Sequence, residues 1–192
     1  MTPRWVGGAA VGALLVASAL AVATAPDNEG VIAPFPVQGA IGEPVSSRTL
    51  VVTVNSVRLA DRLVVDYRDV PDIDTDGVWL VVDATATAQF ETESLSHIEL
   101  QVDDVHYRVA DVLPAPTPLQ LNYGAGVPQR GLLVFELQLS ALNAPGAARA
   151  SLLFLPRLDS DLDSVPVVGV DLTGLDVAGS IRVDRVAVVD SR

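Results

Sequence analysis

The stretch Gly77-Val78-Trp79-Leu80-Val81-Val82-Asp83-Ala84-Thr85-Ala86-Thr87-Ala88 alternates without a break. Val78, Leu80, Val82, Ala84, Ala86 and Ala88 fall on one face; Trp79, Val81, Asp83, Thr85 and Thr87 fall on the other. Successive side chains of an extended chain point to opposite sides, so this period of two reads as a strand with one buried face. Upstream, Leu50, Val52 and Val54 keep the same period, and the apolar phase then slips to Val57 and Leu59. One extra residue near Asn55-Ser56, a β-bulge, produces such a slip.

Downstream, strands are expected at Leu63–Tyr67, Leu95–Val102, His106–Val109, Gly131–Leu139, Ser151–Leu155, Val167–Leu172 and Ile181–Val189. Turn signals separate them: Asp76-Gly77, Gly124-Ala125-Gly126, Pro145-Gly146 and Thr173-Gly174. Only Ser140–Ala150 has room for a helical turn, and Pro145-Gly146 limits it. Many short alternating strands between such breaks indicate an all-β, antiparallel sandwich of about seven to nine strands.

Four features in order carry a resemblance: Gly42-Glu43-Pro44-Val45, the strand Leu50–Val57, the run Gly77–Thr85 and Gly131-Leu132-Leu133-Val134-Phe135-Glu136-Leu137, with a late Leu152–Leu155 strand. Over about residues 42–157 the chain resembles the uncharacterised exported immunoglobulin-like domains of actinobacteria and other Gram-positive bacteria. The resemblance implies an immunoglobulin-like sandwich and an extracytoplasmic address, and it brings no catalytic residues. Arg157–Arg192 lies beyond it, with an acidic loop and two further strands expected. The twelve basic residues are all Arg, which together with the Ala, Val, Gly, Pro and Asp content suggests an actinobacterial, high-GC source.

Ahead of the strands, residues 5–25 carry no charge. About 20 apolar residues at 1.5 Å rise span a hydrocarbon core roughly 30 Å thick. Arg4 precedes the run and Asp27 and Glu29 follow it, an asymmetry that keeps the N-terminus in the cytoplasm and places the rest outside. Residues 1–25 are therefore expected to form an N-terminal transmembrane signal-anchor. A signal peptide cleaved after Ala21-Val22-Ala23 is the alternative, with the same compartment. Residues 26–47, with Pro26, Pro34, Pro36 and Pro44, read as a Pro/Gly-rich tether or an edge strand, and residues 48–192 as the extracytoplasmic β-sandwich.

The chain has 24 acidic and 12 basic residues, a formal charge of −12. Such a surface repels phosphate backbones, so nucleic acid is not an expected partner. With no cysteine, a disulfide framework, thiol catalysis, Cys-based metal sites and a lipidated thiol are all excluded.

Candidate chemistry is sparse. Asp72-Ile73-Asp74-Thr75-Asp76-Gly77 matches the start of a calcium loop, in which alternate carboxylates supply oxygens and Gly allows a sharp turn. Asp83 is twelfth in that frame, yet a strand from Gly77 would carry it roughly 20 Å away. Further ligands would come from Asp159, Asp161 and Asp163 if both acidic loops share one end of the sandwich. The plainer reading of either run is a solvated acidic turn. His97 and His106 are placed to face each other across a hairpin tipped by Asp103-Asp104, as half-exposed strand residues or a two-His metal site. Trp79, on the polar phase, reads as second-sheet core or edge cover, with a ligand- or partner-contact aromatic as the alternative, and Pro114–Pro118 as a rigid crossing between strands, with a polyproline II ligand as the alternative. No Gly-x-Ser-x-Gly elbow or phosphate loop is present.

The expected function is accordingly a non-catalytic, membrane-anchored extracytoplasmic interaction domain serving an envelope protein complex or transporter. Its partners would be the membrane, through the N-terminal helix, and another envelope protein. The alternative is a Ca²⁺-dependent binding module for cell-wall polymer or a partner cell, and a cryptic hydrolase stands third.

Overall fold

The computed structural model describes residues 14–20, 34–65, 71–95, 97–113, 117, 119, 122, 124–155 and 163–183. The chain divides into two units, residues 1–33 and 34–192. In the first, residues 14–20 form a short helix, α1, exposed along its whole length. Among the described residues no helix is long and apolar enough to cross a membrane. Most of the expected span, 5–25, lies outside the described residues.

The second unit is a sandwich of two sheets. One runs β1 (Phe35–Gly39), β9 (Ser164–Val170), β8 (Ala150–Leu155), β5 (His97–Val102), β6 (Val105–Arg108). The other runs β10 (Val177–Ala178), β3 (Leu50–Val65), β4 (Ile73–Ala88), β7 (Gln129–Leu137), with β2 (Pro44–Ser46) and β11 (Ile181–Val183) also paired to β3. Short 3₁₀ turns at Leu139–Asn143 and Ala147–Arg149 flank Pro145-Gly146 and join β7 to β8.

The alternation of β4 is realised as read. Val78, Leu80, Val82, Ala84, Ala86 and Ala88 are all fully buried against the opposite sheet, where Leu100, Leu152 and Phe154 face them. Burying each large side chain contributes about 1.5–3 kcal/mol, which makes this interior the main stabilising element. The register of β3 on β4 shifts between Val54 and Ser56, so the expected bulge is present.

Three features differ from the sequence reading. The described residues hold eleven strands, because short pieces before Leu50 and after Val170 add to the sheets. Pairing is not purely antiparallel: β1 lies parallel to β9, and β10 and β11 lie parallel to β3. Nor is Leu63–Tyr67 a strand of its own. β3 runs on to Val65 through a second shift at Ala60/Arg62, which absorbs the polar Asp61-Arg62 break without ending the ladder. Of the expected Ile181–Val189 strand, Ile181–Val183 is described and pairs with Leu63–Val65.

Within the Pro-rich segment, Phe35–Gly39 pairs with Ser164–Val168 as an edge strand. Edge placement suits Pro36, which has no N–H to donate to a ladder. Phe35 N–H donates to the Asp163 carbonyl at 2.7 Å and fixes where the chain enters the sandwich.

Candidate functional site

The acidic run at 72–76 is not a loop. From Ile73 onward it is strand, with Leu63 opposite Ile73 and Arg62 opposite Asp74. An extended chain spaces Asp72, Asp74 and Asp76 about 6.6 Å apart along a ribbon and does not wrap them round a point. Asp74 accepts from Arg62 Nε at 2.6 Å, and Thr75 Oγ1 donates to Glu136 Oε1 at 2.6 Å. Gly77, the residue that would turn a calcium loop, is in the ladder for a steric reason. A Cβ there would overlap the carbonyl oxygen of Leu137 on β7.

Asp163 lies at the other end of the sandwich, where its carboxylate accepts from Arg48 Nε at 2.9 Å and Nη2 at 2.8 Å. Arg48 and Arg62 stand at opposite ends of β3, roughly 40 Å apart along the strand. The condition for a shared cation site, both acidic runs at one end of the sandwich, is therefore not met for Asp163. Asp159 and Asp161 lie outside the described residues, as does most of Pro114–Pro118.

The histidines do not face each other. The turn at Asp103-Asp104 sets His106 opposite Gln101, while His97 lies opposite Leu155 of β8. What they share is Glu99, on the outer face between them. His106 Nδ1 is 3.0 Å from Glu99 Oε2, His97 Nε2 is 3.9 Å from Oε1, and Arg108 Nε is 3.8 Å from Oε1. The Glu99 side chain is only 17% exposed, so a carboxylate with little water is ringed by groups that carry or can take positive charge. Among the described residues no three His, Asp or Glu side chains gather as a group able to hold a metal ion. Asp103 is a brace: with φ 51° it makes the turn, and its Oδ2 accepts the Gly146 N–H at 2.9 Å.

A second charged constellation covers the outer face of the other sheet, beside the bulge. Arg130 on β7 grips Asp83 on β4 with two parallel N–H donors, Nε at 2.8 Å and Nη2. Asn55, turned outward by the bulge, donates to Asp83 Oδ1 at 3.1 Å and Thr85 Oγ1 at 3.0 Å. The bidentate Arg130 pair first, and Asn55 after it, hold the Asp83 carboxyl below the usual carboxylate range, against the opposing effect of burial.

Toward the far end of that face the surface becomes apolar and covered. Trp79 is buried with Val81, Val134, Ile181 and Val183, and its Nε1 donates to the Ile73 carbonyl at 3.2 Å. It is a core residue, not a contact aromatic, and the core is a small second one on the sheet's outer side. Two surface hollows lie among the described residues. One of about 400 Å³ lies between Arg58, Asp176 and Arg182, and one of about 300 Å³ between Asp103, Gly146 and Arg149.

The Glu99 hub escaped the sequence reading, although His97-x-Glu99 and His106-x-Arg108 each set two polar side chains on one face. The missing information was the turn length that aligns the two strands.

No protein-family model and no curated protein matches the chain. Among solved structures, the chain is similar to the secreted protein MPT63 from Mycobacterium tuberculosis, at 16% identity and a TM-score of 0.48, covering 71% of this chain and 98% of that one. It is also similar to an uncharacterized beta-sandwich protein from Clostridium difficile, at 13% identity and 0.46, covering 74% and 99%. A third similar structure is the yjhA protein of Bacillus subtilis, at 15% identity and 0.46, covering 67% and 98%.

Proposed function

We propose that this chain is a membrane-anchored extracytoplasmic interaction domain, without catalytic activity of its own, that serves an envelope protein complex or transporter. The observation that carries the reading is α1. Its Leu14, Leu15, Val16 and Leu20 are 60–68% exposed on a helix with no polar face except Ser18. A helix that is apolar all round belongs in lipid or in a protein interior, not in water. The uncharged run 5–25 that contains it is long enough to span, and Arg4 orients it with the sandwich outside.

The repeated crossing of the chain between the two sheets supports an immunoglobulin-like plan. Both outer faces present charged constellations, Glu99 with His106 and Arg108, and Asp83 with Arg130. These carboxylates are matched to cations, which suits recognition of a partner surface better than bond-breaking chemistry.

Crosslinking in native membranes tests the reading. The expected result is a discrete higher-mass adduct in the carbonate-resistant membrane fraction, with the N-terminal residues intact by mass spectrometry. Recovery of uncomplexed monomer alone would count against it, and a mature chain beginning at Thr24 would replace the anchor by a cleaved signal.

A further inference from the structure

The Asp103-Asp104 turn meets the 3₁₀ segment before β8 at one end of the sandwich, and a hollow of about 300 Å³ opens between them. Gln101, Asp103, Gly146, Arg149 and Ser151 line it. Gln101 on β5 and Ser151 on β8 are partners across the ladder, so their side chains leave the sheet on the same side.

Asp103 is held in place. Its φ of 51° sets the turn, its carbonyl accepts Gln101 Nε2 at 3.1 Å, and its Oδ2 accepts the Gly146 N–H at 2.9 Å. Gly146 has φ −87°, a conformation open to any residue, so the backbone does not require glycine there. A Cβ at Gly146 would fall on the Asp103 carboxyl group, and the missing side chain is what admits that group. The second carboxylate oxygen, Oδ1, takes part in no hydrogen bond or ion pair among the described residues.

Arg149 lines the same hollow. Arg48, Arg62, Arg108 and Arg130 all end on carboxylates. In a chain with 24 acidic and 12 basic residues, the Arg149 guanidinium reaches none among the described residues, Asp103 included. One hollow thus holds a fixed carboxylate and a guanidinium that do not meet, each with bonding capacity left over. The guanidinium fork suits a carboxylate, and Asp103 Oδ1 suits an ammonium N–H. The two lining charges cancel, so a ligand of either net sign would leave one of them opposed. The Gln101 amide and the Ser151 hydroxyl supply neutral hydrogen bonds, and no large apolar side chain lines the hollow to receive a greasy ligand.

We propose that this hollow binds a small zwitterion of the amino-acid kind, its ammonium on Asp103 and its carboxylate on Arg149. The volume lies at the small end of ligand sites and suits a single amino acid better than a longer peptide. The proposal uses only residues of the sandwich and stands independently of the membrane-anchored reading.

Amide chemical shifts of the ¹⁵N-labelled full chain, in a polyoxyethylene detergent without charged headgroups, give the test. The probes are glycine, β-alanine and 4-aminobutanoate, whose two charges lie progressively further apart, with acetate and methylammonium carrying one charge each. Titration to about 20 mM covers the ~1 mM Kd that two solvent-open charge contacts supply. The expected result is saturable shifts at Asp103, Gly146, Arg149 and Ser151 with at least one zwitterion, and binding of acetate and methylammonium weaker by about tenfold or more. Asp103→Asn keeps an oxygen for the Gly146 N–H and tolerates the positive φ, and Arg149→Gln alters an exposed side chain, so both variants should fold, with β4 amides unchanged. Each should weaken zwitterion binding by about tenfold or more. Acetate binding as tightly as every zwitterion, lost in Arg149→Gln but kept in Asp103→Asn, would make the hollow a plain anion site and overturn the proposal. Shifts that stay linear for every probe, or zwitterion binding unaltered in both variants, would overturn it as well.

Discussion

Gly77→Ala separates the two explanations for the last residue of the Asp72–Gly77 motif. A Cβ at Gly77 points into the Leu137 carbonyl oxygen, with the carbonyl carbon 3.1 Å away. Backbone cannot rotate aside as a side chain can, so β4 or β7 must move. Overpacking of this kind costs roughly 1–3 kcal/mol, and a rigid obstacle places it in the upper part of that range. Against this stands a gain of about 0.4–1 kcal/mol, because Ala has less freedom to lose on folding. The net is a destabilisation of about 2 kcal/mol, or a fall in Tm of roughly 4–8 °C for a domain of this size. The assay is thermal unfolding of the full chain in mild detergent containing EDTA, followed by far-ultraviolet circular dichroism. Gly169→Ala on β9 is the control: nothing lies within 4 Å of its Cβ position, so it should be neutral or slightly stabilising. Equal Tm for the two variants would refute the steric account, and a loss for Gly77→Ala seen only with Ca²⁺ present would return the residue to a metal loop.

Asp83→Asn removes the charge that Arg130 grips, on a carboxylate whose folded pKa this pairing depresses, so wild type should lead at pH 7 by about 1 kcal/mol once solvent screening at the sheet surface is counted. That advantage is present above the unfolded Asp value of about 3.9 and is lost as pH falls through the lower folded value, so the two Tm curves should converge in acid; parallel curves to pH 2 would contradict it. Because Asp74 already has Arg62 as counter-ion, Tm should be the same in EDTA and in about 2 mM Ca²⁺. A Ca²⁺-specific rise abolished by Asp74→Ala would reverse that assignment. Trp79→Phe loses the hydrogen bond to Ile73 and some buried volume, and should lower the urea midpoint by the equivalent of about 1–2 kcal/mol; an unchanged midpoint would mean that the second core is not packed as described.

The sequence by itself determined whatever depends on neighbours along the chain. The period of two in Gly77–Ala88, the slip at Asn55-Ser56, the turn at Asp103-Asp104 and the uncharged run 5–25 are all local. Each follows from backbone geometry or from the thickness of a bilayer. Only the tertiary structure decided what lies over each face and across each ladder. Trp79 alternates with the core residues of β4 and so reads as outward, but β11 and the segment after β6 close over it. Asp74 and Gly77 read as a metal loop until Arg62 and Leu137, 12 and 60 positions distant, are brought against them. Glu99 becomes a hub because the Asp103-Asp104 turn sets His106 and Arg108 of β6 beside it, and Phe35 and Phe90 lie at one end through pairings 129 and 38 positions apart, Phe35 with Ser164 and Leu50 with Ala88. Alternation reveals that a strand has two unlike faces. Register and covering elements come from contacts between segments far apart in the chain, and no local pattern encodes them.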